Sequence, residues 1–396
     1  MTMEYKFRLD ILSPVHIGVD NTKFWNNGLD YVVKDGKVYL LDTWKILRKG
    51  GIDLNHLSAA LANGDMNYLK NRINDLKQYS KYIFNLPVPG LNQPREIRPL
   101  IKSPLTGTPI IPGSSLKGAI SSAILSHIMG YADNPLGRNI LSHLAQGHNF
   151  HAEMDRFFGK PDKGSAFMRF IQVSDITFDN TSLINTKIYN LKNNHGQLSG
   201  GWKISGGQNS RTDDRYSDNG FNTVYESLMP GQQAFGRLEI NERLFNNGQY
   251  QKEFHLPSST KIKNLLTMSG ENGLFAVINS FTNEYIYKEK DFFDQYRGEH
   301  SQEISDRLYN IGCMIPEDSD DNSSCVLRMA AGSGFHSVTG DWMFEDHYIE
   351  RIDNIGGRSR GMKNGMKSAK SRKIAVWESN GHRTFAPMGF IKLTLI

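Results

Sequence analysis

The sequence predicts an α+β protein. Tyr5 to Leu12 alternates apolar and polar side chains, which indicates a half-buried strand. The runs Leu29 to Val33 and Val38 to Leu41 flank Asp35-Gly36, a dipeptide typical of a β-hairpin turn. Gly113 to Met129 carries apolar residues at helical spacing behind a start of small polar residues, which predicts a helix.

The remaining elements follow from similar patterns. Asp42 or Thr43 is expected to cap a short helix, and Leu54 to Leu86 is expected to hold one or two helices. The glycine-rich and polar stretch His195 to Gly220 predicts a long, mobile excursion from a sheet. Further strands are expected at Phe170 to Phe178, Thr223 to Ile240, Cys325 to Met329 and Phe390 to Leu395, and a further helix from Ser258.

Length and composition indicate a globular protein of two domains. The chain has 396 residues, of which 38% are hydrophobic and 22% charged. We expect one domain over residues 1–240, with helical and glycine-rich insertions, and a second over residues 241–396. No apolar run is long enough for a membrane span, and two cysteines are too few for a disulfide framework. We therefore expect a cytoplasmic protein.

Positive charge is concentrated near the C-terminus. Arg351 to Lys373 contains eight basic residues and one acid, a net +7, whereas the whole chain carries +5. Glycines interleave with these charges, so the segment is expected to order against RNA phosphates. The alternative is a solvated loop. The predicted contacts are Arg358, Arg360, Lys363, Lys367, Lys370, Arg372 and Lys373.

The start of the helix at Gly113 is a second candidate for phosphate binding. Free backbone N–H groups, the hydroxyls of Ser114 and Ser115, and Lys117 together suit an anion. The spacing is not that of a nucleotide-triphosphate loop. Ordinary helix capping by a serine is the alternative interpretation.

A glycine-rich loop at Gly332 to Gly340 has the pattern G-x-G-x5-G. Gly332 and Gly334 would let backbone amides approach a sugar-phosphate chain, and Phe335 and His336 could stack on bases. The third glycine is misplaced for dinucleotide binding, and a simple turn is the alternative.

Candidates for catalysis and metal binding are weaker. His16 follows the first strand and is interpreted as an RNA contact; the alternative is a general acid or base in metal-independent RNA cleavage. Two groups could hold a metal by residue type. The histidine group has no recognisable ligand spacing, and the aspartate group is interpreted as a solvated surface rather than a divalent-cation site for a nuclease, so no metal, no cofactor and no catalytic residue is predicted. The two groups are His143, His148 and His151 with Asp155, and Asp213, Asp214 and Asp218.

Several of these motifs resemble those of the RAMP superfamily, the repeat-associated RNA-binding proteins of CRISPR systems. Ile111 to Gly118 is similar to its helix-start signature, and Gly332 to Gly340 resembles its late glycine-rich loop. Ser121 departs from the Arg that relatives often carry after the signature, which removes one expected phosphate contact. Further segments are similar to the Csm5 family of type III-A complexes: Ser13 to Gly18, Leu29 to Val32, Val173 to Asp175 and Pro387 to Leu393.

The resemblance implies tandem ferredoxin-like (RRM-like) domains and a role in CRISPR antiviral defence. It implies a non-catalytic backbone subunit that binds crRNA, caps the filament at the crRNA 3′ end and assists crRNA maturation. The expected partners are crRNA, neighbouring Csm-type subunits and host ribonucleases. A metal-independent endoribonuclease that processes pre-crRNA, with His16 as its acid or base, remains the alternative.

Overall fold

The computed structural model describes twelve stretches of the chain, and all structural statements refer to them. They are residues 2–19, 23–49, 51–65, 67–92, 94–129, 167–194, 197–206, 211–241, 265–318, 320–334, 337 and 371–396. The fold is mixed α+β, as the sequence predicts, and contains two large β-sheets with helices packed against the first.

The first sheet has five strands in the order β15-β18-β1-β14-β8, and every neighbouring pair is antiparallel. The strands are β1 (Thr2–Ile11), β8 (Ile171–Val173), β14 (Gln233–Asn241), β15 (Ser324–Arg328) and β18 (Phe390–Leu395). The alternation of β1 buries Phe7, Leu9 and Ile11 on one face. Opposite Phe7 lies Gly236, where any Cβ would approach the Phe7 ring to 2.6 Å, so only glycine fits there.

Two helices pack on this sheet, α4 (Gly113–Met129) and α5 (Leu274–Gln295), whereas α6 (Ser301–Gly312) packs on α5 and on a strand of the second sheet. Helix α4 packs against β8, β15 and α5, while α5 packs against β15 and α6. Their buried side chains join those of β1 in the main hydrophobic core. Burial of this apolar surface is the main stabilising contribution to the fold.

The second sheet is built around the long strand β10, which pairs with β11, β13 and β16. The path of the sheet is β12-β11-β10-β13-β6-β2, and β16 also pairs with β17. Its strands are β2 (Trp25–Asn26), β6 (Glu96–Arg98), β10 (Ser182–Asn194), β11 (Gln197–Lys203), β12 (Thr212–Asp213), β13 (Asn222–Ser227), β16 (Ser371–Ser379) and β17 (His382–Pro387).

A smaller unit lies between β2 and β6 in the chain and has its own core. Its three-stranded sheet has the order β3-β4-β5, and two short strands, β7 and β9, pair elsewhere in the fold. The elements are β3 (Tyr31–Lys34), β4 (Lys37–Leu41), α1 (Thr43–Lys49), α2 (Leu54–Ala62), α3 (Tyr68–Arg72) and β5 (Ser80–Asn85), with β7 (Ile110–Ile111) and β9 (Ile176–Thr177) outside the unit.

Several local predictions are confirmed. Helix α4 spans the predicted residues Gly113–Met129. Asp35 and Gly36 form the β3–β4 turn with φ of 50° and 71°, the left-handed pair that a tight hairpin requires. The carboxylate of Asp42 accepts a hydrogen bond from the backbone N–H of Lys45 at 3.1 Å and caps α1.

Other predictions are wrong. The glycine-rich stretch after His195 is not a mobile excursion along its described residues, because Gln197–Lys203 forms β11 and Trp202 is fully buried. The segment Leu54 to Leu86 does hold two helices, α2 and α3, but it ends in strand β5. The later helix begins at Leu274; residues 258–264 lie outside the described part, and residues 265–273 form turns.

The division into domains at residue 240 stays a prediction. Both large sheets contain strands from either side of this position: β1 pairs with β18, and β10 pairs with β16.

Cys313 and Cys325 are both free thiols. Among the described helices, none combines the length and apolar character that crossing a membrane requires.

Candidate RNA interface

An open cleft of about 730 Å³ lies where the loop after β1 meets the second sheet. We call it the basic cleft. It is lined by His16, Gly18, Val19, Lys23, Arg98, Pro99, Tyr225, Ala331 and Lys373. Three of these side chains are cationic and none is a carboxylate, so the cleft as described attracts anions.

Backbone hydrogen bonds bring the parts of the cleft together. Val15 pairs with Leu228 at the end of β13, and Gly18 pairs with Leu100 after β6. The N–H of Ala331 donates to the carbonyl oxygen of His16 at 3.0 Å. The start of the glycine-rich loop therefore lies directly beside the segment that carries His16.

His16 is held as a neutral ring. Its Nδ1 donates to the backbone carbonyl oxygen of Glu226 at 2.7 Å, since that oxygen can only accept. The ring stacks on Tyr225 with centroids 4.3 Å apart. Burial, with a smaller contribution from the charges of Lys373 and Arg98, lowers the pKa of His16 to about 4, although the bond to Glu226 opposes this. At neutral pH, His16 can therefore accept a hydrogen bond through Nε2 but cannot serve as a cation.

Lys373 lies in the cleft at the start of β16. Its Nζ donates to the hydroxyl of Tyr225 at 2.7 Å and lies 5.0 Å from the ring centroid. The pairing of β16 with β10 places Lys373 opposite Ile188. The strand thus fixes the backbone of this lysine at the wall of the cleft.

The nearby acid Glu226 does not cancel the charge of the cleft. Its carboxylate is fully buried and bonds Lys102 at 2.8 Å, the hydroxyl of Thr181 at 2.7 Å and the N–H of Leu100 at 2.9 Å. Within the described part of the chain, Lys23, Arg98 and Lys373 form no ion pair with a carboxylate. Their charges remain available to phosphates.

The predicted glycine-rich loop is described only at its start. Gly332 and Gly334 have φ of 85° and 77°, the left-handed conformation that favours glycine. The carbonyl oxygen of Gly332 accepts a hydrogen bond from Arg328 at 2.7 Å. Phe335 and His336 lie outside the described residues, so their predicted stacking stays a prediction.

The predicted phosphate site at the start of α4 contains an internal acid. A carboxylate oxygen of Asp175 accepts a hydrogen bond from the N–H of Gly113 at 2.8 Å. This negative charge occupies the place where a helix start would receive an anion. Ser114 is exposed, Ser115 is half-buried, and burial lowers the pKa of the half-buried Lys117.

The predicted basic segment is described only from residue 371. Lys373 lines the basic cleft, but Arg372 points into the protein and forms an ion pair with Glu289 at 2.8 Å, with 11% of its side chain exposed. Its charge is thus already matched by an acid. The other predicted contacts lie outside the described residues: Arg358, Arg360, Lys363, Lys367 and Lys370.

Three charged or aromatic residues of the cleft were not identified from the sequence: Lys23, Arg98 and Tyr225. Each lies alone in its stretch of sequence, and only long-range strand pairing brings them together. Arg98 follows a proline-rich stretch and ends a short strand. The same local pattern is found around many surface arginines, so it does not identify Arg98 as an RNA contact.

The acidic candidates are engaged in the fold. Asp214 forms an ion pair with Lys192, and Asp218 binds Arg383 at 2.7 Å and the hydroxyl of Tyr216 at 2.9 Å. Among the described residues, no cluster of acids, histidines and cysteines could hold a metal ion. The histidine group from His143 to His151 lies outside that part of the chain.

Solved structures that share this fold include the following two. The first is a chain of a Csm–crRNA–target RNA ternary complex of a type III-A CRISPR–Cas system, with a TM-score of 0.67, 19% sequence identity and full coverage of both chains. The second is Csm5 of T. onnurineus, with a TM-score of 0.57, 18% identity, and coverage of 97% of this chain and 99% of that one. No curated protein sequence matches the chain.

The family itself is established by sequence. The sequence model of the RAMP superfamily matches residues 8–336, which is more than half of the chain. That range contains the end of β1, His16, Arg98, Tyr225 and the start of the glycine-rich loop. The chain belongs to the RAMP superfamily.

Proposed function

We propose that this chain is a non-catalytic subunit of a type III-A CRISPR (Csm) effector complex that binds single-stranded guide RNA. The observation that carries the proposal is the basic cleft, where Lys23, Arg98 and Lys373 converge without a matching carboxylate among the described residues. Such an arrangement suits the sugar-phosphate backbone rather than a base sequence. Membership of the RAMP superfamily supports it.

The strand order supports a ferredoxin-like frame. Within the first sheet, β18-β1-β14-β8 is antiparallel throughout, and α4 and α5 follow β1 and β14 in the chain. This is the order of a ferredoxin-like βαββαβ unit, in which β15 is an added edge strand. The proposal includes a second such unit. Because α5 and β18 complete the first unit, the division near residue 240, which stays a prediction, would run through that unit.

The place of the subunit in the complex is proposed from similarity in fold. One similar structure comes from a complex that contains crRNA and target RNA, and the other is a Csm5. We assign this chain crRNA and neighbouring Csm-type subunits as partners, a position at the crRNA 3′ end, and help in crRNA maturation with host ribonucleases. The start of α4 and the segment Arg358–Lys370 remain secondary proposed RNA contacts.

The test is the salt dependence of RNA binding. Replacing Lys23, Arg98 and Lys373 together by Gln should weaken binding of a single-stranded RNA by a hundredfold or more. The slope of log affinity against log salt should fall by about 2, since each phosphate contact on a single strand contributes about 0.7. Fluorescence polarisation with the full chain over a salt series measures both.

The matched control is the replacement of Lys34, Lys37 and Lys45 by Gln. These exposed lysines lie on the small unit, and the change in net charge is the same. Equal losses of affinity in the two triple variants would contradict a specific role for the basic cleft.

A cleavage assay with repeat-containing RNA distinguishes a scaffold from a nuclease. A scaffold leaves repeat-containing RNA intact in the presence of a chelator. RNA cleavage that persists in chelator and disappears in His16→Asn would instead make the protein a metal-independent endoribonuclease. Its neutral state leaves His16 unable to donate a proton as a general acid at pH 7.

A further inference from the structure

A second cleft adjoins the basic cleft and differs from it in character. It has a volume of about 470 Å³, and we call it the polar cleft. Arg98 lines both clefts, so the two are neighbours on one surface. The polar cleft is lined by Phe24, Asn92, Pro94, Arg95, Glu96, Arg98, Asn219, Gly220, Asn222, Thr223 and Val224.

The side of the polar cleft next to Arg98 offers a flat aromatic surface. The guanidinium group of Arg98 lies over the Phe24 ring, with its carbon 4.7 Å from the ring centre, so a base would stack on the other face of the ring. Phe24 is partly exposed, and the guanidinium group of Arg98 has no carboxylate partner among the described residues. An aromatic ring beside an arginine is a common platform for an unpaired base.

Another part of the lining consists of amide groups whose orientation is fixed by hydrogen bonds. Asn219 accepts from the N–H of Asn92 at 2.7 Å through Oδ1 and donates to the carbonyl oxygen of Gly90 at 3.2 Å. Asn222 donates through Nδ2 to Oδ1 of Asn185 at 3.1 Å and to the carbonyl oxygen of Asp218 at 3.3 Å. Both partners of Asn222 are acceptors, so its Oδ1 is the group left to receive a hydrogen bond.

The charges of the polar cleft are mixed. Glu96 faces it together with Arg95 and Arg98, whereas no carboxylate lines the basic cleft. A phosphate in the polar cleft would meet the charge of Glu96. A neutral ring with hydrogen-bonding edges has no such conflict.

We infer that the polar cleft holds one unpaired nucleobase of the RNA whose backbone occupies the basic cleft, stacked on Phe24 beside Arg98. The Oδ1 of Asn222 accepts from the exocyclic amino group of that base, so cytosine is bound in preference to uracil, which has a carbonyl at the same position. The inference rests on the proposed RNA binding. It adds a base preference to a subunit otherwise expected to hold only the backbone.

The experiment is a double-mutant cycle between protein and RNA. The full chain and Phe24→Ala are titrated with a labelled 12-nucleotide cytidine RNA and with an abasic ribose-phosphate strand of equal length. Phe24→Ala should weaken binding of the cytidine RNA by roughly tenfold, which is within the range for loss of one stacked base, and should leave the affinity for the abasic strand unchanged. The salt slope should not change, since no charge is removed.

The control variant is Tyr287→Ala, which removes an exposed aromatic side chain on α5. It should leave both affinities unchanged. A 12-nucleotide uridine RNA completes the series: the full chain should bind it about fivefold more weakly than cytidine RNA, and Asn222→Ala should remove the difference. Phe24→Leu, which keeps the apolar volume, guards against misfolding of the alanine variant.

The outcomes separate the two proposals. Equal effects of Phe24→Ala on both strands, or none on either, would overturn the nucleobase site while the lysine and arginine triple variant still tests backbone binding. An absence of RNA binding by the unchanged chain, at any base composition, would overturn the proposed function itself.

Discussion

At the scale of single residues, burial of His16 links stability to pH. Because the folded state keeps the pKa near 4 while an unfolded histidine titrates near 6.5, the unfolded state binds an extra proton between these values. Stability is therefore lost as pH falls below about 6.5. Between pH 7 and pH 4.5, the unfolding free energy should decrease by an amount on the order of 2–3 kcal/mol from this group.

The measurement is chemical denaturation of the wild type and His16→Asn at both pH values. Asparagine can still donate to the carbonyl of Glu226 but does not titrate, so the pH-dependent loss should be smaller in the variant by that amount. The same loss in both proteins would show that His16 does not stay neutral in the fold. RNA affinity should change little between pH 8 and pH 6.5, since His16 gains no charge there.

Lys373 and Lys117 should differ as RNA contacts. Lys373 faces a cleft with two other cations and no carboxylate among its described walls, whereas Lys117 lies on a helix whose first N–H is bonded to Asp175. A phosphate at the helix start would be repelled by that carboxylate. Lys373→Ala should thus weaken single-stranded RNA binding by roughly tenfold and Lys117→Ala by less than about threefold. A larger effect of Lys117→Ala would place the main phosphate contact at α4.

At the scale of elements, two glycines of α4 should respond in opposite ways to alanine. A Cβ at Gly113 would overlap the carbonyl oxygen of Val173, whereas nothing lies within 4 Å of a Cβ at the exposed Gly118. Gly113→Ala should destabilise the protein by roughly 2–4 kcal/mol through this clash. Gly118→Ala should stabilise it by about 0.5–1 kcal/mol, because alanine favours the helix. Denaturant midpoints compare the two, and a neutral Gly113→Ala would contradict the close packing of α4 on β8.

Elements with a local cause could be predicted from the sequence. The β3–β4 turn depends on Asp35-Gly36 and α4 on its own apolar spacing, and both occur where expected. Strand β11 could not be predicted from the sequence, because its glycines allow close packing within the sheet instead of making the chain flexible. A Cβ at Gly201 would lie 2.5 Å from the carbonyl oxygen of Asp213, so glycine permits close approach within the sheet.

At the scale of the whole molecule, the candidate site was predicted only in part. His16 and Lys373 were identified by residue type, and the structure brings them together beside Gly332. Arg98 and Tyr225 join them through the pairing of β6 with β13, a contact between residues far apart in sequence. Periodicity describes single elements and carries no information on which strands meet.

A buried charge cluster connects several elements behind the cleft. Glu289 of α5 is bonded to Arg372 of β16 at 2.8 Å and lies 3.9 Å from Arg328 of β15. Arg328 also donates to the carbonyl oxygens of Met388 and Gly332, each at 2.7 Å. The buried guanidinium of Arg328 and the partly exposed one of Arg372 thus both approach this carboxylate, and burial together with the charge of Arg372 lowers the pKa of Arg328.

Removing the charge of Glu289 should therefore lower the free energy of unfolding more than removing the charge of Arg372. Glu289→Gln leaves the buried charge of Arg328 without a carboxylate partner among the described residues and should destabilise the protein by roughly 3–5 kcal/mol. Arg372→Met leaves Arg328 and Glu289 as a matched pair and replaces the guanidinium contact with the Phe292 ring by an apolar one, so the loss should be about 1–2 kcal/mol. Urea denaturation of both variants checks this order, and a greater loss in Arg372→Met would contradict it. Since Arg372 stabilises the fold through Glu289, a test of charge in the basic segment must change Lys373 and leave Arg372 in place.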